Sequence, residues 1–225
     1  MIIISIIIPI FQEECLLPRA LTSIASQSLF QNSEIILAQY DSPNLVDNLF
    51  EDVPIGIARK CKIIDIEKKG IGYARHRAIE QAEGKYLCNF DADAIFTKPN
   101  NIQRLLAPIQ RGQTRMTQGN VTFNEDKISL DQMLQDVQNN IKNIIPYYVS
   151  EIGMCFSRSD YFKSERFSDV RNLEGARLAM DFVKRFGWGA IQKVDDVIIL
   201  HEKRRGITDW DHENAYRCGR KIKIK

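Results

Sequence analysis

Between residues 86 and 99 the chain reads YLCNFDADAIFTKP, an apolar run that stops at two aspartates, Asp91 and Asp93, with Ala92 between them. Two carboxylates so close repel one another unless a cation sits between or beside them. Hard divalent ions such as Mn2+ or Mg2+ take a few oxygen donors of this kind and keep positions for water and phosphate. The pair equally suits an acidic loop at a strand end, so its neighbours decide its meaning. His201 ends the apolar run VDDVIIL; neutral imidazole ligates manganese-like ions, and a lone strand-end histidine otherwise serves structure. Arg75 falls in the first turns of a helical pattern, where a cation and backbone N–H groups together meet phosphate oxygens; its alternative is a surface ion pair. Phe11 follows Pro9 at the end of the first apolar run and packs against either a nucleobase or the core. Gly70 and Gly72 flank a strand-to-helix turn and permit close backbone approach.

These residues need a frame, and the first half of the chain supplies one. Residues 2–8 form a continuous β-branched run, as a strand buried on both faces requires, with Pro9 read as its stop. EECLLPRALTSIASQS has apolar residues at helical spacing and a proline near its first turn. SEIILAQY and CKIIDIE read as strands. GYARHRAIEQAEG reads as a helix striped by Ala74, Ala78, Ile79 and Ala82, with Gly84 as its stop, and KYLCNF as another strand. Strands alternating with helices predict an α/β fold with a mostly parallel, Rossmann-like central sheet flanked by helices. In such sheets ligands sit at the carboxyl ends of the strands, near the point where strand order reverses. Beyond residue 100, TQGNVTF, EIGMCFSR and VDDVIIL read as strands. SLDQMLQDVQNNIKNII and LEGARLAMDFVKRFG read as amphipathic helices, the latter ended by Gly187. Without an internal repeat or low-complexity linker, residues 1–225 are expected to form one domain, with a nucleotide half over 1–99 and an acceptor half over 100–225.

Composition narrows the class. A chain of 225 residues that is 44% hydrophobic and 27% charged buries a real core and is not disordered. Its net charge of +2 argues against a nucleic-acid partner, and only the tail from His201 onward is locally basic. That tail is either a solvated end or a contact for an anionic partner, such as a diphosphate or a membrane surface. The five cysteines are odd in number and lack metal-ligand spacing, which implies a reducing compartment. The apolar N-terminus is too short for a membrane span and lacks the positive charge of a signal peptide. The expectation is a soluble cytoplasmic protein, with peripheral membrane contact through the tail as a further option.

Taken in order, the segments resemble family 2 glycosyltransferases, inverting enzymes of the GT-A fold. The likeness is carried by SIIIPIFQEECLLPRALTSIASQ, by KKGIGYARHRAIEQAEGKYLCNFDADAIF with its D-A-D, by GMCFSRSDYF, by RFSDVRNLEGARLAMDFVKRFG and by VDDVIILH. It covers most of the chain, and the ordered set is far more specific than any one motif. The resemblance implies transfer of one sugar from a nucleoside-diphosphate donor, a UDP-sugar by preference, to a hydroxyl of a glycan or glycolipid. It implies donor-site roles for Pro9, Phe11, Asp41, Gly72, Arg75, Asp91, Ala92 and Asp93, and a divalent cation on Asp91, Asp93 and His201.

Two departures matter. Where the family has E-D ahead of the acceptor-side helix, with the aspartate as general base, this chain has Glu174 followed by Gly175. Either Glu174 takes the proton, or Asp169 does, or the chain lacks full activity. Where the family has D-D-G-S, this chain reads Gln39, Tyr40, Asp41 and Ser42, so Asp41 or Gln39 would bond the base edge and Tyr40 would stack. A non-catalytic sugar-nucleotide or glycan-binding domain is therefore one alternative. A sugar-1-phosphate nucleotidyltransferase is another, opposed by the lack of glycine in IPIFQEECLLPRA.

Overall fold

The computed structural model describes residues 2–11, 16–42, 45–123, 151–167 and 174–201, the side chains at 46–48, 50, 123 and 174 excepted. The predicted helix over 129–145, Asp169, the side chain of Glu174 and the basic tail beyond His201 lie outside the described residues.

The parallel half follows the predicted alternation. Strand β1 (Ile4–Ile10) leads through α1 (Leu17–Ala25) to β2 (Ser33–Gln39), and α2 (Leu45–Asp52) and α3 (Ile55–Ala58) lead on to β3 (Cys61–Asp65). Helix α4 (Ile71–Glu80) then returns the chain to β4 (Tyr86–Asn89). β1 pairs in parallel with β2 on one side and β4 on the other. Strand order therefore reverses at β1, with β2 and β3 built outward on one side and β4 on the opposite side.

Seven consecutive buried residues in β1 follow from helices on both faces. Ile4, Ile6, Ile8 and Ile10 face Leu17, Leu21 and Ile24 of α1. Ile7 faces Ala74, Ala78 and Ile79 of α4. Pro9 does not stop the strand; it pairs with Ala38 inside it. Tyr40 donates its N–H to the Ile10 carbonyl, whereas Phe90 donates to the Ile7 carbonyl, so even-numbered residues of β1 bond toward β2 and odd-numbered ones toward β4. The missing N–H of Pro9 thus faces β4, whose pairing with β1 ends at Ile7 and Asn89. A proline fits where two strands part.

Gly84 is not a helix stop either. α4 ends at Glu80 with Gln81 as its cap. A β-carbon at Gly84 would lie 2.5 Å from the Ser5 nitrogen, so glycine is there to let the chain pass close to β1.

The second half makes the sheet mixed, adding three antiparallel pairs and one parallel pair among the described residues. β5 (Ala94–Phe96), α5 (Asn101–Gln110) and β6 (Met116–Phe123) follow β4. The next described elements are β7 (Met154–Ser157), α6 (Arg158–Lys163), α7 (Glu174–Phe186) and β8 (Ile191–His201). Among the described residues the strands form one sheet in the order β3-β2-β1-β4-β7-β6-β8-β5. β7 runs antiparallel to β4 and to β6, and β5 runs antiparallel to β8. Against β6 the register of β8 jumps from Val194 opposite Gly119 to Ile198 opposite Asn120. Gly153, at φ +70°, sits directly under the Ile199 side chain, which would collide with any β-carbon there. α5 joins α1 and α2 on one face of the sheet, while α7 joins α4 on the other.

Candidate metal and nucleotide site

The strand order makes the carboxyl ends of β1 and β4 the expected site, and the chemistry is found there. Asp91 and Asp93 follow β4 in the turn that leads into β5. Because β5 pairs with β8 so that Ala94 lies opposite His201, the last residue of β8 arrives beside that turn. Asp93 Oδ1 lies 3.0 Å from His201 Nε2, and Asp91 Oδ2 lies 4.0 Å from it. All three residues are buried, and one donor atom from each falls within 4.8 Å of the others.

Arg75 completes the group from the α4 face. Its Nη2 donates to Asp91 Oδ1 at 2.8 Å, and its side chain is 1% exposed. A buried guanidinium needs such a partner. The pattern that set Arg75 among Ala74, Ala78 and Ile79 also turns it inward, and Gly70 at φ 124° starts the helix that carries it. Arg75 is thus neither a surface cation nor turned outward; it holds Asp91. Arg75 offsets one of the two carboxylate charges, which leaves one formal negative charge beside the His201 imidazole. Two carboxylates and one imidazole, without a thiolate, fit a hard-to-borderline divalent ion.

At the ends of β1 and β2 the rings of Phe11 and Tyr40 stack on each other, with centroids 4.5 Å apart and planes 15° apart. Lys68 Nζ stands 5.4 Å from the Phe11 centroid and 5.8 Å from that of Tyr40. Sequence reasoning offered each ring to a nucleobase separately; the fold makes them one platform. Gln39 spends its amide on Asp65 and accepts from the Ser42 N–H at 3.2 Å. Asp41 is exposed and holds φ 53° just past β2. Pro9, Gly72 and Ala92 are buried at the β1 end, in α4 and between the two aspartates. His76 is half-buried and bonds the Tyr161 hydroxyl through Nδ1 at 2.9 Å. Trp188 is 69% exposed.

Glu151 was not singled out from the sequence. Its Oε1 accepts the Gly175 N–H at 2.7 Å, at the start of α7. The available signal was Gly175 itself, a gap where a carboxylate was expected.

Residues 5–171 match the model of Glycosyl transferase family 2. The chain belongs to glycosyl transferase family 2. Over 179 residues it is 25% identical to the minor teichoic acid biosynthesis protein GgaB of Bacillus subtilis, covering 73% of this chain and 19% of GgaB. The chain spans less than half the length of the curated relatives it matches. Among solved structures it is similar to glucosyl-3-phosphoglycerate synthase of Mycobacterium tuberculosis in complex with Mn2+, UDP and glucosyl-3-phosphoglycerate. The TM-score is 0.67 at 19% identity, over 98% of this chain and 81% of that one. It is also similar to S. aureus TarS 1–349 in complex with UDP-GlcNAc, with a TM-score of 0.63 at 16% identity over 91% and 60% of the two chains. This family 2 domain has the GT-A type of fold that the sequence implied. Among its described residues no helix is long and apolar enough to cross a membrane.

Proposed function

We propose that this family 2 glycosyltransferase domain moves one sugar from a nucleoside-diphosphate donor, a UDP-sugar first, to a hydroxyl of a glycan or glycolipid, with inversion at the anomeric carbon. The convergence of Asp91, Asp93 and His201 within 4.8 Å at the strand-order reversal carries this reading. The Mn2+ and UDP named with the mycobacterial structure, and the UDP-GlcNAc named with TarS, support it. Asp91, Asp93 and His201 hold a divalent cation, Mn2+ or Mg2+. When bound, that ion supplies Lewis-acid neutralisation of the leaving diphosphate.

The chain's own residues do the rest. Arg75 fixes Asp91 so that the second carboxylate oxygen stays turned toward His201. The Phe11–Tyr40 platform receives the base, and Lys68 beside it adds positive charge. Pro9, Gly72 and Ala92 keep the backbone close, and Asp41 bonds the base edge. Residues 1–99 thus hold the donor and residues 100–225 the acceptor, with Glu174 and Asp169 on the acceptor side. The basic tail serves the diphosphate or a membrane surface.

Incubation with a panel of nucleotide sugars and manganese tests this. Release of nucleoside diphosphate is expected. Release of pyrophosphate would mark a nucleotidyltransferase, and saturable binding without turnover would mark the binding domain that Gly175 favours. Asp93→Ala is expected to lower turnover about 10²–10³-fold, the usual cost of losing one electrostatic stabiliser of developing charge. In calorimetry the same variant should lose manganese-dependent UDP binding; unchanged affinity would remove Asp93 from the metal site.

A further inference from the structure

The described carboxylates at this end of the sheet differ in what holds them. Asp91 is held by Arg75, and Asp93 faces His201. Asp65 closes β3 against Gln39, and Asp41 stands past β2, so both lie on the far side of β1 from β4. Glu151 lies on the other side. Its neighbour Gly153 donates its N–H to the Asn89 carbonyl at 2.8 Å, which carries the β4–β7 pairing toward the aspartate turn. Residues 151–154 form a turn, closed by the Met154 N–H on the Glu151 carbonyl at 3.3 Å, so Glu151 opens the turn that enters β7 beside Asn89, two residues before Asp91.

The Glu151 carboxylate is anchored. Its Oε1 takes the Gly175 N–H in the first turn of α7, a helix of 13 residues. A β-carbon on residue 175 would lie 2.5 Å from Oε1 and 2.7 Å from Cδ and Cγ. The space that a side chain at position 175 would need is filled by Glu151, from the turn that leads into β7.

We propose that Glu151 is the catalytic residue that takes the proton from the acceptor hydroxyl, an assignment that rests on the glycosyltransferase reading. The acceptor O–H gives its proton to Oε2, the oxygen not committed to Gly175, and its lone pair forms the bond to the anomeric carbon. The bond from that carbon to the diphosphate oxygen breaks, and its electron pair leaves with the diphosphate. Glu151, now a carboxylic acid, returns the proton to water. The carboxylate comes from the β7 side and is steered by the α7 backbone, which explains how a glycine can occupy position 175.

Glu151→Gln discriminates between chemistry and support, because an amide oxygen still accepts the Gly175 N–H. The full chain is assayed with manganese and UDP-glucose or UDP-GlcNAc for UDP release, and by calorimetry for UDP affinity. For Glu151→Gln, kcat should fall about 10²-fold or more while KM and UDP affinity hold. A kcat equal to that of the parent overturns the assignment, as does a loss of UDP affinity that accounts for the loss of rate. Gly175→Asp alone should lose turnover through collision with Glu151. Gly175→Asp in a Glu151→Ala background should recover turnover at least tenfold over Glu151→Ala alone. A folded double variant, by circular dichroism, without that recovery overturns the shared-space argument. If the parent chain neither binds UDP with manganese nor releases it, the glycosyltransferase reading falls and takes this assignment with it. Parent turnover matched by Glu151→Gln removes Glu151 alone.

Discussion

Asp91 and Asp93 leave the same turn, yet the two flanks of the site treat them differently. On the α4 flank Asp91 meets a guanidinium that stays charged at every accessible pH and is almost wholly enclosed. On the β8 flank Asp93 meets an imidazole, whose Nε2 either donates a proton or presents a lone pair to a cation. The α4 flank is therefore built to be permanent and the β8 flank to change occupant. Asp91 is tied through one oxygen to a partner whose charge is fixed, whereas Asp93 faces one whose protonation can change.

Experiments on each flank sharpen this contrast or break it. Arg75→Met strips the permanent flank and leaves a buried carboxylate uncompensated; a loss of about 3–5 kcal/mol in urea unfolding is expected. Stability equal to that of the parent chain would mean that the α4 flank is not structural. His201→Ala probes the exchangeable flank. Manganese affinity, measured by calorimetry, should fall at least ~10-fold. Magnesium affinity should fall less, since imidazole adds more to the binding of the softer ion. Equal losses for both ions would deny His201 a ligand role. The smallest effect belongs to the platform: Tyr40→Ala removes one ring of a stacked pair worth about 0.5–1.5 kcal/mol. Stability should fall by no more than that amount, UDP affinity should weaken by roughly fivefold, and an unaltered dissociation constant would take the platform out of nucleotide binding.

How much was legible in the sequence depended on how far each signal reached along the chain. The isoleucine run of β1 announces a strand covered on both faces because each position carries its own signal. β5 escaped notice because three residues hold no period. Pro9 and Gly84 were read as punctuation, when the fold uses one where β1 and β4 part and the other where a chain crosses β1. Asp91, Asp93 and His201 were named through the ordered resemblance to the family. Their mutual approach comes from the β5–β8 ladder, in which residues some hundred positions apart face one another. The Arg75–Asp91 bond joins a helix to a strand end 16 residues on, a relation that no local pattern encodes. Glu151 was invisible for a similar reason, since its meaning depends on the bare backbone of Gly175.

Gly153 sets a tolerance for the whole assembly. Its hydrogen atom is the floor on which Ile199 rests, and Ile199 is two residues from the imidazole. A methyl group at 153 would overlap the end of the Ile199 side chain, which is fully buried and would have to swing aside. Any attempt to transplant the Asp-Asp-His trio into another scaffold must leave room for Ile199 beside the strand that carries His201, as well as copy the three side chains.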